Sequence, residues 1–172
     1  LRPLEREDLR TLYENLWDAE GRRLTGTQET FTMARLENFF ERVSLDSARI
    51  DLLICSQEDG RVIGDIAMME IDYRNRRAIV RLALFDRENW GKGYGTEALD
   101  LLLKHGFEVL NFHRIGLDVF AFNKRAIRAY EKLGFKKEGV VRDELFYDGT
   151  YHDSIIMGIL EDEFRRTADK IE

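Results

Sequence analysis

Three glycines stand at alternate positions, Gly91, Gly93 and Gly95, inside the stretch ENWGKGYGTEALDLLLKHGF. The run before them reads as a strand ending near Phe85. The run after them reads as a helix from about Thr96, with Leu99, Leu102, Leu103, Phe107 and Leu110 on one face. Glycine costs roughly 1 kcal/mol against alanine inside a helix. Three of them at a helix entrance therefore argue for a task that only bare backbone performs. A strand, a glycine turn and a helix N-terminus together make an anion site, because uncovered N–H groups approach the ligand closely and the helix dipole adds to the attraction. Lys92 supplies a full positive charge beside them. The competing reading is a glycine-rich connector that holds nothing.

The hydrophobic period fixes what surrounds that turn. EREDLRTLYENLWD spaces Leu9, Leu12, Tyr13 and Leu16 as a helix face, and FTMARLENFFERV repeats the pattern with Met33, Leu36, Phe39, Phe40 and Val43. GRRLTGTQET reads as the linker between them. From Ile50 the period changes to that of strands: 50–56, 62–71 and 78–85, joined by turns at EDG and DYRNRR. RIGLDVFA is a further strand. NKRAIRAYEKLGF is a helix capped by Asn123 and stopped at Gly134. Strands at about 136–146 and 150–160 flank an Asp148-Gly149 turn. The expected class is α+β, a mixed sheet of about six strands flanked by four helices, in one domain over residues 1–172. There is no Gly/Ser linker and no repeat, and the one proline is Pro3.

Composition excludes several function classes. The chain carries 44% hydrophobic and 35% charged residues, a globular profile. No run of about 18 uncharged apolar residues exists, so no membrane span is expected. A net charge of −6 argues mildly against a nucleic-acid partner and mildly for a cationic one. The single cysteine, Cys55, cannot form an internal disulfide and suits a reducing cytoplasm; inside IDLLICSQ it reads as strand filler rather than a nucleophile. His105, His113 and His152 show no metal-ligand spacing with cysteine or carboxylates, so no metal is expected.

Two phosphate ligands compete for the turn. GYGTEA formally satisfies the dinucleotide fingerprint, with Asp118 as its trailing acid. That acid, however, falls in mid-strand, and the strands before the motif form hairpins rather than βαβ units. A P-loop is absent, since no G-x-x-x-x-G-K-[ST] occurs. The other ligand is coenzyme A. LFDRENWGKGYGTEAL resembles the pyrophosphate-binding motif of the GNAT N-acetyltransferases, Q/R-x-x-G-x-G/A. FNKRAIRAYEKLGFKKEG resembles that family's second signature, an Asn-led helix with a tyrosine seven residues on, followed by L-G-F. The resemblance runs from LRPLEREDLR to YHDSIIMGIL and is nearest to the spermidine/spermine and ribosomal-protein N-terminal branches. One departure stands out: Trp90 occupies the usual Gln/Arg position.

The resemblance implies an acetyl-CoA-dependent enzyme acting on a primary amine. Backbone of Ala83, Leu84 and Phe85 is expected to hold the pantetheine arm. Trp90, Gly91, Lys92, Gly93, Tyr94, Gly95 and Thr96 are expected to wrap the pyrophosphate, with Asn123 facing the arm and Arg125 and Lys132 reaching toward the nucleotide. Tyr130 is the expected acid for the leaving thiolate, since a phenol with pKa near 10 keeps its proton at neutral pH; its helical face also suits a core aromatic. Glu70 is the expected base, against a plain strand-end surface carboxylate. The acceptor reads as a polyamine, because Glu14, Asp18, Glu20, Glu29 and Glu37 fall in the helices and linker that form the acceptor wall of this family. Arg22 and Arg23 oppose that reading. A peptide N-terminus and a non-catalytic acyl-CoA module are the alternatives. A homodimer or higher homo-oligomer built through the C-terminal strands is expected from folds of this kind.

Overall fold

The chain enters through a two-residue strand, β1 (Arg2–Pro3), and a 3-10 turn at Arg6–Asp8. Three helices follow: α1 (Leu9–Asn15), α2 (Ala19–Thr25) and α3 (Met33–Ser44). Three strands then run as a meander, β2 (Ile50–Cys55), β3 (Val62–Asp72) and β4 (Arg77–Leu84). Beyond the glycine turn, α4 (Tyr94–Lys104) widens into a π-helical turn at His105–Val109. The chain closes with β5 (Arg114–Phe120), α5 (Lys124–Lys132), β6 (Lys136–Tyr147), β7 (Thr150–Leu160) and α6 (Glu161–Ala168). This computed structural model describes residues 1–168, with side chains through Arg166; the last four positions of the expected domain lie outside the described residues. No helix among them is long and apolar enough to cross a membrane.

Among the described residues the sheet has seven strands, where about six are expected, and six helices flank it, where four are expected. The additions are local. α2 runs into GRRLTGTQET, the segment read as the linker between the two helices. It has no buried residue, and its ends do the holding. Asp18 accepts the Gly21 N–H at 2.6 Å, and Gly26, at φ 66°, closes it in the left-handed region. Arg23 pairs with Glu20 along the helix. β1 is held by pairing with β2, Arg2 opposite Leu53.

Strand order is β1-β2-β3-β4-β5-β7-β6. All pairs are antiparallel except β4 with β5, whose parallel register covers only Arg77–Arg114, Ala78–Ile115 and Ile79–Gly116. Past Ile79 the two strands diverge. β4 runs on to Leu84 and β5 to Phe120 without pairing, so the sheet splits open beside the glycine turn. The β6–β7 hairpin turns at Asp148 and Gly149, both at positive φ, the conformation a two-residue turn matched to strand twist requires.

The main core lies on the α4 face. Leu99, Leu102, Leu103 and Phe107 pack onto Ile66, Met68, Ile115 and Met157. Leu9, Leu36, Val43 and Leu53 are buried under α1 and α3 on the opposite face. Leu103 is fully enclosed, 0% exposed. Leu103→Ala should therefore lower unfolding free energy by about 2–5 kcal/mol, the cost of a buried cavity. Urea denaturation checks this, and an unchanged midpoint contradicts the packing described.

Candidate active site

The split between β4 and β5 opens into a cavity of about 1200 Å³. Such a volume exceeds the usual single-ligand pocket and has room for two reactants. α1, α2 and α3 wall one side, and the glycine turn and α5 wall the other. Arg23 of α2 lies over the Phe122 ring at 4.8 Å, tying the helical wall to the entrance of α5.

At the turn, Gly91 and Gly93 have φ of 75° and 92°. A Cβ added at either position would meet no protein atom within 4 Å. Packing therefore does not demand glycine there; backbone conformation and the open space in front of it do. Among the described residues, no amide from Gly91 to Thr96 donates to a backbone carbonyl, and the first such bond is Glu97 N–H to Gly93 C=O at 2.9 Å. The turn thus presents a run of uncommitted donors at a helix N-terminus.

Trp90 joins this turn to two neighbours. Its indole Nε1 donates to the Leu84 carbonyl at 3.1 Å. Its ring carries the Arg125 guanidinium at 4.1 Å from the centroid. Burial pulls the Arg125 pKa below its ordinary value, with Glu20 opposing, and the group stays cationic. Asn89 is buried and donates to the Phe85 carbonyl at 3.2 Å, fixing the chain where it leaves β4. Across the opening, Asn123 caps α5 by accepting the Ala126 N–H at 3.2 Å. Tyr130 lies on the cavity wall with its ring 6.0 Å from that of Phe135. Burial pushes its phenol up to about 12, so it holds its proton throughout the neutral range.

The acetyltransferase (GNAT) domain family matches residues 1–136. The chain belongs to the GNAT acetyltransferase family. This acetyltransferase takes its acetyl group from acetyl-CoA. It is similar to the spermidine N(1)-acetyltransferase of Escherichia coli (strain K12), 32% identical over 164 residues, which cover 95% of this chain and 87% of that protein. The spermidine N(1)-acetyltransferase of Vibrio cholerae is 31% identical over 98% of this chain and 96% of its own length. Among solved structures, the Vibrio cholerae spermidine N-acetyltransferase in complex with CoA and spermine superposes with a TM-score of 0.88 at 28% identity, covering 95% of this chain and 96% of that one.

The fold of the acetyltransferase brings most of the expected site residues to one cavity. Ala83, Leu84, Phe85, Trp90, Gly91, Gly93, Gly95, Thr96, Asn123, Arg125, Tyr130 and Lys132 all line it. Lys92 stands exposed beside the turn, and Tyr94 packs against the main core instead. Strand alternation divides the segment expected to hold the pantetheine arm. The Phe85 N–H donates to Ile63 of β3, so Phe85 and Ala83 direct their amide groups at β3 while Leu82 and Leu84 direct theirs at the opening. The Leu84 carbonyl is taken by Trp90.

Glu70 is not brought to the site. It is exposed, at φ 50°, inside the bulge between Met69 and Asp72, at the end of β3 where β4 begins. The bulge breaks the alternation that would group it with Ile66 and Met68. The carboxylate that does line the cavity from β3 is Asp65. Its sequence signal is one acid in the middle of the apolar run VIGDIAMM.

Proposed function

We propose that this chain is a single catalytic domain that acetylates a primary amine by direct attack on acetyl-CoA. The divergence of β4 from β5 beside a turn of uncommitted amides carries the reading. The pantetheine arm lies along the Leu82–Leu84 edge as an added strand. The pyrophosphate sits on the amides of 91–96, with Arg125, held by Trp90, supplying the charge that the family's Gln/Arg position otherwise supports. Tyr130 hands its proton to the thiolate as the C–S bond breaks. Trp90→Ala removes both the ring under Arg125 and the bond to Leu84. It should weaken acetyl-CoA binding by roughly tenfold, about 1.4 kcal/mol; calorimetry showing unchanged affinity contradicts the role given to Trp90.

The acceptor we propose is a polyamine of the spermidine class. The spermidine acetyltransferases similar to this chain over almost its whole length support it, as do Asp18, Glu29, Asp51 and Asp65 on the cavity wall. Arg22, Arg35, Arg42 and Arg81 line the same wall and favour a second reading, a peptide acceptor with acidic side chains near its N-terminal amine. Thiol release from acetyl-CoA, measured against spermidine, spermine, amino acids and N-terminal peptides, decides between them. Turnover with spermidine at millimolar concentration supports the first reading; turnover with peptides alone supports the second. The edge strand β6 exposes Val140, Val141 and Phe146, which supports the expected self-association. The free Cys55 suits work in a cytoplasm.

A further inference from the structure

We propose that Asp65 receives the acceptor's ammonium group and removes its proton before attack. Asp65 stands opposite Ala83 in the β3–β4 register. Side chains directly opposite share a face of the sheet, with Cβ atoms about 4.5–5.5 Å apart. The small side chain of Ala83 leaves room beside the carboxylate, and this face looks toward the helical wall where the acceptor enters. On the strand edge beside it runs the segment that takes the pantetheine arm. The carboxylate is therefore placed next to the thioester, on the side from which the amine arrives. The inference rests on the cavity being the acetyl-CoA and amine site.

The chemistry of the group fits this task. Its Oδ2 is buried and accepts no hydrogen bond. The Arg81 guanidinium approaches to 2.7 Å but out of line for donation. The side chain keeps 17% exposure, and Asp65 lines the cavity. Arg81 compensates the charge of this oxygen as an ion pair, and an ammonium entering the cavity adds a donor in line with it. Neighbouring Asp51 differs, because Arg49 donates to both of its oxygens at 2.7 and 2.8 Å. Burial raises the Asp65 carboxyl above its ordinary value, Asp51 adds to the rise, and Arg81 opposes it. Asp18, Arg22 and Glu29, with Arg35 and Arg42 of α3, are the other charges on that wall. A raised carboxyl is a stronger base than a surface one.

The protons balance. The ammonium gives one proton to Asp65, and the freed lone pair forms the C–N bond. The C–S bond breaks as Tyr130 protonates the thiolate. The nitrogen's second proton restores the tyrosine, and Asp65 releases its proton to solvent through the mouth of the cavity. One proton leaves per turnover.

The test compares wild type with Asp65→Asn across pH, using spermidine and the peptide panel as acceptors and titrating CoA into each protein. The substitution should lower kcat/KM by about 10²–10⁴-fold at neutral pH and leave CoA affinity unchanged. The deficit should shrink as pH rises toward the amine's pKa, near 10.4 for a lysine-like amine, where free amine needs no base. A variant equal to wild type, or a deficit that is the same at every pH, overturns the role of Asp65 while leaving the acetyltransferase reading intact. A wild type that releases no CoA with any amine overturns both. If Asp65→Asn fails to bind CoA, Arg81→Gln decides. Removing that cation raises the Asp65 carboxyl, so the acidic limb of kcat/KM must move to higher pH, and a limb that stays in place overturns the proposal.

Discussion

Tyr130→Phe should lower kcat by about 10²–10⁴-fold, the usual worth of a positioned acid, while acetyl-CoA affinity stays nearly unchanged. The substitution keeps the ring against Phe135 and removes only the hydroxyl. A thiolate then leaves without a proton, and the barrier rises at that step. The pH profile adds a second readout. Because burial pushes the phenol up to about 12, Tyr130 is protonated at every pH where the protein is ordinarily assayed. Its loss of function on deprotonation therefore falls above the free-tyrosine value near 10, not below it. Steady-state kinetics on the two proteins measure both effects. An unimpaired kcat in the variant would return Tyr130 to a packing role and leave water as the acid.

Gly93→Val should weaken acetyl-CoA binding by at least about a hundredfold. Gly93 begins α4 at φ 92°, where a β-branched residue is strained by roughly 1–3 kcal/mol. Its added side chain meets no protein atom, so it projects into the space an anion must occupy. Relief of the strain rotates the donor run of 91–96, and each hydrogen bond lost to a charged group costs about 1.5–3 kcal/mol. Gly60→Val is the control. Gly60 is also at positive φ with open space around it, in the turn between β2 and β3. It should show the same order of destabilisation with no loss of affinity. Equal affinities for wild type and Gly93→Val would contradict the phosphate role of the turn.

The elements legible in the sequence are those with a strong period or a specific cap. α4 and α5 declare themselves by leucine spacing and by Asn123, whose side chain does accept from Ala126. The strands of the meander and the last hairpin fall within a few residues of their expected bounds. α2 is not legible, because it buries nothing and is held by Asp18 and Gly26 rather than by an apolar face. β1 is two residues long and exists through its partner. The site shows the same division. A glycine turn and a capped helix are local signals, and they lead to residues that share one cavity. Glu70 fails because it lies in the bulge at the end of β3 where β4 begins, away from the Leu84 end that borders the opening, a placement set by the pairing of β3 with β4. The outward-facing amides fall at Leu82 and Leu84 rather than along the whole of Ala83–Phe85 for a related reason: which amides point outward is set by register, not by composition. Trp90 reads as a departure from a motif until α5 is placed beside it, when it becomes the platform of Arg125.

The most direct measurement is a crystal structure of the acetyltransferase with CoA. The pyrophosphate should rest on the amides of residues 91–96 beside Arg125, the pantetheine should run along Leu82 and Leu84 between β4 and β5, and the sulfur should lie within hydrogen-bond reach of the Tyr130 hydroxyl. A CoA bound away from the glycine turn, or one whose sulfur lies out of reach of Tyr130, would contradict the account.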